Sequence, residues 1–367
     1  MPNTHYFTPG PAALYPTYAQ HLQEALHLQI GSISHRSRFF SEIYEQTYRA
    51  LQQLLGFDDE VAVLFVGSAT EVWERSIQNG VDSRSAHLVN GAFSEKFYQF
   101  AKLLQKDAIA HTVAEGKGFV AEEVLQTFQE AHKIKPIDFL AFTHNETATG
   151  VSTPSETIER IADAFPDAIR VVDMVSSAPY PHIDFRKVES AFFSVQKAFG
   201  MPAGLGVWLV NHKFLKKSEA LAQKGAITGT YHRLSELWKH FEQFQTPATP
   251  PVLPIYLLGK IAEDLNQIGI EQVRKLTDQK AQLLYEAIGK SKSLEIAVAE
   301  PAHRSATVVV ANTQKEASAL IEQIKNDLNM EIGAGYGKAK NTQIRIANFP
   351  AVDFSATQQL ADYLAQC

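Results

Sequence analysis

The chain has 367 residues, of which 45% are hydrophobic and 20% charged, and its formal net charge is −6. That length buries a large core and predicts two domains, or one large and one small, while the acidic balance and the lack of a concentrated basic face exclude a nucleic-acid binder. No uncharged apolar run reaches the roughly 18 residues of a membrane span, the N-terminus lacks a signal-peptide layout, and the only cysteine is Cys367, so a soluble cytoplasmic protein without disulfide or metal cluster is expected.

Residues 1–16 carry Pro2, Pro9, Pro11 and Pro16 and read as an extended N-terminal arm rather than a helix. Helical periodicity follows over 17–29 and 41–56. Between these helices a loop presents three potential cations in four positions, His35, Arg36 and Arg38, a pattern that solvated loops also show. Val61 to Val66 is a buried strand. It leads through Gly67-Ser68-Ala69-Thr70 into a helix carrying Val72, Trp73 and Ile77. Hydroxyl residues at a helix start are first of all N-caps, but the free N–H groups and positive dipole end there also suit a phosphate. Further strands are expected at 86–89, 139–142 and 206–210, with helices at 94–105, 120–132 and 155–164. Such alternation predicts an α/β fold with a mostly parallel sheet covered on both faces.

Within this frame, Ile169 to Asp173 ends a short β-branched run with a carboxylate, at the strand end where open α/β sheets bind ligands. Phe192 to Val195 reads as the next strand and is followed at once by Lys197, flanked by Val195, Ala198 and Phe199. Apolar surroundings lower a lysine's pKa and free the neutral amine that carbonyl chemistry needs. An acid and an amine at neighbouring strand ends suit a pyridoxal phosphate site, although a helix cap and a snorkelling lysine produce the same pair.

The segment Thr246 to Pro251 breaks the pattern, which sets the expected domains at 17–254 and 255–367. A long helical stretch is predicted over 255–289, then strands at 305–310 and 343–347 and helices at 315–326 and 355–365, as in a small α/β domain. Gly333, Gly335 and Gly337 read as a flexible loop without the strand-turn-helix context of a dinucleotide fingerprint. Arg345 lies in an apolar strand and needs a partner there, commonly a structural carboxylate, otherwise a substrate carboxylate.

Taken in order, Phe7-Thr8-Pro9-Gly10-Pro11-Ala12, Ser34-His35-Arg36-Ser37, His144-Asn145-Glu146-Thr147-Ala148-Thr149-Gly150, Asp173, Gln196-Lys197, Pro202-Ala203-Gly204-Leu205-Gly206 and Arg345 give the chain its resemblance to the class V aminotransferases of pyridoxal phosphate fold type I. The resemblance is nearest to the phosphoserine aminotransferase branch and runs from end to end. It implies a large domain with a seven-stranded sheet, a smaller C-terminal domain, and pyridoxal phosphate as cofactor. By this likeness Lys197 resembles the lysine that binds the cofactor aldehyde and then shuttles a proton, and Asp173 the partner of the pyridine nitrogen. Phe93 corresponds to the aromatic ring over the cofactor, where the family usually has Trp. Ser68, Ala69, Thr70 and Gln196 resemble the phosphate cup, and Thr147 the residue near the phenolic oxygen. Gln245 and Thr246 match a pair supplied by a neighbouring subunit, which implies a homodimer with shared sites. His35, Arg36, Arg38 and Lys338 are the candidates for a substrate phosphate, and Arg345 for the α-carboxylate. The implied reaction moves an amino group between L-glutamate and 3-phosphohydroxypyruvate, in serine biosynthesis. Gly335-Tyr336-Gly337-Lys338 instead resembles the alanine-glyoxylate and serine-glyoxylate branch, which keeps that alternative open.

Overall fold

The computed structural model describes residues 4–367, so the first three residues of the expected arm lie outside the described residues. The larger sheet has seven strands in the spatial order Val61–Val66, Gly206–Asn211, Ser190–Ser194, Ile169–Asp173, Phe139–Thr143, Ser85–Val89 and Ala108–Thr112. Only Gly206–Asn211 runs against its neighbours; the other pairings are parallel. The alternation of strands and helices predicts this mostly parallel sheet, and the resemblance implies its seven strands.

Its strands read as nearly unbroken apolar runs because both faces are covered. In Val61–Val66, the residues Val61, Val63 and Phe65 pack into one core and Ala62, Leu64 and Val66 into the opposite one. The same alternation puts Ile169 and Val171 on the face shared with Trp73. Asp173, two residues further on, therefore turns toward Trp73 as well.

A second sheet has five strands in the order His5–Phe7, Met330–Ala334, Gln343–Ala347, Val308–Thr313 and Leu294–Ile296. The arm thus begins by pairing, in parallel, with a strand more than three hundred residues away, and Thr4 bonds Asn329 across a separation of 325 residues. The chain then crosses to the larger sheet, where the Ala12 and Tyr15 N–H groups donate to the carbonyls of Gln196 and Gly200. A small apolar cluster of Ala198, Val308, Val310, Ala347 and Phe349 joins the two lobes beside Lys197.

Several elements depart from the sequence expectation. The stretch expected as one helix over 255–289 is two, Val252–Ile268 and Ile270–Lys290, separated by Gly269 at φ 85°, a conformation that glycine takes without steric cost. Gly333 belongs to the strand Met330–Ala334 rather than to a flexible loop, and the Gly335 N–H donates to the Gln343 carbonyl at 2.6 Å. The unexpected helix His212–Gln223 buries only Phe214, Ser218 and Leu221, too thin a stripe to stand out in a lysine-rich segment. Ala108–Thr112, also unexpected, is a half-buried edge strand.

Candidate active site

Three elements of the large sheet converge on one cavity of about 310 Å³, walled by Gly10, Ser68, Ala69, Thr70, Trp73, Phe93, Thr147, Asp173, Gln196 and Lys197 among others. Asp173 is buried at its strand end. Its carboxylate accepts from the Trp73 indole N–H and from the Val175 backbone N–H, each at 2.9 Å. Burial nevertheless raises its pKa to about 7, because these two donors and the more distant Lys197 only partly replace water. Trp73 thus acts on the site directly, a role not visible in the sequence, where it reads as one apolar residue of a helix.

Lys197 faces the same cavity from the end of the neighbouring strand. Its ammonium donates to the carbonyl of Pro9 in the arm. Desolvation, and then the positive charge of Arg345, lower its pKa to about 8, against the opposing pull of Asp173 and Glu146. The arm fits so closely here that a Cβ on Gly10, at φ 128°, would stand 2.6 Å from the lysine Cε. Any side chain there would displace the amine and strain the backbone.

The helix Ala69–Gly80 starts at the cavity wall with Ser68 as its N-cap, accepting from the Glu71 N–H at 3.3 Å. First-turn N–H groups have no intrahelical acceptor. Ala69's goes to Ser194 Oγ at 2.9 Å, which leaves that of Thr70 for an anion. Glu71 stands nearby, but its carboxylate is taken up by the Gly67 N–H at 2.8 Å and by the Arg75 guanidinium.

On the opposite wall, Thr147 sits in the turn of a short hairpin formed by Asn145–Glu146 and Val151–Ser152. Glu146 is fully buried and accepts from the Phe93 N–H, the Ser94 N–H and hydroxyl, and the Ala148 N–H at 2.9 to 3.1 Å. One side chain therefore fastens the Thr147 turn to the start of the helix Ala92–Leu103, which carries Phe93. Burial holds its pKa above the usual carboxylate range despite these donors.

Arg345 forms no ion pair with any described carboxylate. Its Nε donates to the Ala334 carbonyl at 2.8 Å and Nη1 lies 3.4 Å from the Thr147 carbonyl, while its guanidinium stacks over the Tyr336 ring at 5.5 Å. The commoner expectation, a structural salt bridge, is not met among the described residues, and the fork remains available to a carboxylate at the cavity edge.

The remaining candidates do not line the cavity of the single chain. Arg36 donates to Gln245 Oε1 at 3.0 Å and lies 3.4 Å from the Pro247 carbonyl, so the loop of His35 and the Gln245-Thr246 segment form one cluster. The His35 pKa is lowered by partial burial and then by Arg36. Arg38 is 93% exposed and paired with Glu42, and Lys338 is exposed.

The model of the family "Aminotransferase class-V" matches residues 6–344, and the chain belongs to that family. It is an aminotransferase. Among solved structures it is similar to a phosphoserine aminotransferase from Cytophaga hutchinsonii, with 44% identity, a TM-score of 0.94 and 99% of each chain covered. A putative phosphoserine aminotransferase of Mycobacterium sp. (strain KMS) is 28% identical over all of this chain and 96% of that protein. An alanine-glyoxylate aminotransferase from Nostoc sp. shares the fold at 20% identity and a TM-score of 0.86, covering 100% of this chain and 95% of the other.

The family implies pyridoxal phosphate, and the residues fit it. A buried carboxylate without a full set of donors suits a cationic ring nitrogen, the amine of Lys197 an aldehyde, and the open N–H at the helix start a phosphate. Among the described residues no helix is long and apolar enough to cross a membrane, and no group of His, Cys, Asp and Glu could hold a metal ion.

Proposed function

We propose that the enzyme uses pyridoxal phosphate to exchange an amino group between L-glutamate and 3-phosphohydroxypyruvate, yielding O-phospho-L-serine for serine biosynthesis, and that it works as a cytoplasmic homodimer. The observation that carries the substrate assignment is the 44% identity, over essentially the whole chain, to a phosphoserine aminotransferase. The lone cysteine suits a reducing compartment.

The bound cofactor would supply an aldehyde for the amino group and an electron sink for the carbanion formed at the substrate Cα. Asp173 would hold the proton on the ring nitrogen, and Trp73 and Val175 fix the orientation of its carboxylate. Lys197, with a pKa near 8, keeps part of its population neutral at physiological pH and so can take a proton from Cα and return it. Phe93 would cover one face of the ring. Arg345 would bind the carboxylate common to all the substrates, and bidentate pairing there fixes the angle of the reacting bond.

Arg36, Gln245 and Thr246 form a cluster outside the cavity of their own chain, which supports their service to the site of a partner. Gly335-Tyr336-Gly337-Lys338 favours the glyoxylate branch instead. Single-turnover reaction of the enzyme carrying the aminated cofactor separates the two readings. A strong preference for 3-phosphohydroxypyruvate, sharply reduced in Arg36→Ala while the reaction with glutamate changes much less, supports the phosphoserine reading. Fast reaction with glyoxylate and none with the phosphorylated acid rejects it and leaves the fold and the two strand-end residues as they are.

A further inference from the structure

At the rim of the cavity one aromatic ring is flanked by two cations. Tyr336 has the Arg345 guanidinium over its ring at 5.5 Å and the Lys96 ammonium at the same distance. Its ring stands 5.1 Å from that of Phe93, which lines the cavity, and Lys96 also lies 5.5 Å over Phe93. Lys96 pairs with no described carboxylate, and neither does Arg345. Aromatic faces attract cations but carry no net charge, so both cations, unpaired with any described carboxylate, can take an anionic ligand.

The hydrogen bonding has a direction. Lys96 Nζ donates to the Tyr336 phenolic oxygen at 3.0 Å. That bond occupies a lone pair of the oxygen and leaves its proton free to donate, and no described residue accepts it. Lys96 retains two further N–H groups. One ammonium and one phenol beside Phe93 therefore carry three unused donors, next to the guanidinium assigned to the shared carboxylate.

We propose that Lys96 and the Tyr336 hydroxyl form a second oxyanion subsite, in the same chain as Lys197, which takes the distal acid group of a substrate whose first carboxylate rests on Arg345. This inference rests on reading Arg345 as the carboxylate clamp. The ligand class is a small acid with two anionic ends, the second being a carboxylate or a phosphate monoester, since both present oxygens to an ammonium and a phenol in the same way. A substrate with one acid group would leave the subsite to water. The subsite is built within one chain, so it is distinct from the Arg36 cluster.

Three unreactive ligands test the proposal on the holoenzyme: glutarate with two carboxylates, 3-phosphoglycerate with a carboxylate and a phosphate, and butyrate with one carboxylate. Dissociation constants are read from the change in the visible spectrum for the wild type, Lys96→Met and Tyr336→Phe. Loss of the ammonium is expected to weaken glutarate, 3-phosphoglycerate or both by about ten- to a hundredfold while butyrate changes less than about twofold, with a smaller loss of the same pattern in Tyr336→Phe. The diacid that is weakened identifies whether the subsite takes the carboxylate, the phosphate or either. Equal weakening of all three ligands, or of none, overturns the proposal. Lys96 is exposed, so the variant keeps the fold. A wild type that prefers glyoxylate would end the phosphoserine reading without touching the dependence of diacid binding on Lys96.

Discussion

Asp173 and Trp73 define the chemistry of the site at the scale of single residues. A carboxylate with its pKa near 7 is protonated in part at neutral pH, whereas a ring-nitrogen cation needs it ionised. The indole donor favours the ionised form, and a hydrogen bond to a charged group contributes about 1.5 to 3 kcal/mol, or one to two pKa units. In Trp73→Phe the cofactor-free Asp173 pKa therefore moves up. Cofactor affinity is expected to fall about tenfold at pH 7, and its acid limb to shift to higher pH by about one unit, measured by equilibrium dialysis across pH. An unchanged limb would mean that the indole does not tune the acid. Lys197 carries the opposite sign. Its pKa is depressed to about 8, so the amine is mostly protonated below that pH and neutral above it. The rate of covalent cofactor loading, followed by visible absorbance in a stopped-flow instrument, should rise about tenfold per pH unit below 8 and level off above it. Lys197→Ala should show no covalent loading and no multiple turnover at any pH.

Among the elements, the helix Ala92–Leu103 depends at its start on a distant group, since Glu146 accepts from the Phe93 and Ser94 N–H groups while Ser94 Oγ accepts only from those of Asn90 and Gly91. Glu146→Gln keeps the shape but turns an amide toward at least one donor that now lacks an acceptor. We expect a loss of about 1 to 3 kcal/mol, visible as a lower Tm in calorimetry, together with weaker cofactor retention because Phe93 and Thr147 lose their common anchor. A Tm equal to that of the wild type would show that the helix start is held by Ser94 alone. This element also marks the limit of what the sequence discloses. Unbroken apolar runs made the central strands legible, and a carboxylate and a lysine at strand ends pointed to the cavity. Glu146 was visible only as part of a motif, because its four donors come from positions more than fifty residues upstream as well as from its own turn. Trp73 and Lys96 escaped for the same reason. The partners that give them meaning, Asp173 and Tyr336, are adjacent in space through sheet order and lobe packing, which no local periodicity records.

For the whole molecule, the arm matters more than its length suggests. It supplies an edge strand to the small sheet, a carbonyl to Lys197, and two backbone bonds to Gln196 and Gly200, on either side of that lysine. Deleting residues 1–11 should therefore lower the Tm, expose the edge of Met330–Ala334 to faster proteolysis, and abolish activity, although every lysine, arginine and aspartate assigned to the site remains. Wild-type activity in that deletion would show the arm to be dispensable packing.

The pairing of Thr4 with Asn329 across 325 residues has a consequence for synthesis on the ribosome. The arm emerges long before its partner, since the strand that receives it is made some 325 residues later. Until then the larger sheet can form with its lysine in place while the wall contributed by Pro9 and Gly10 is missing. A nascent chain that has not yet reached Met330–Ala334 therefore carries an unfinished reaction chamber.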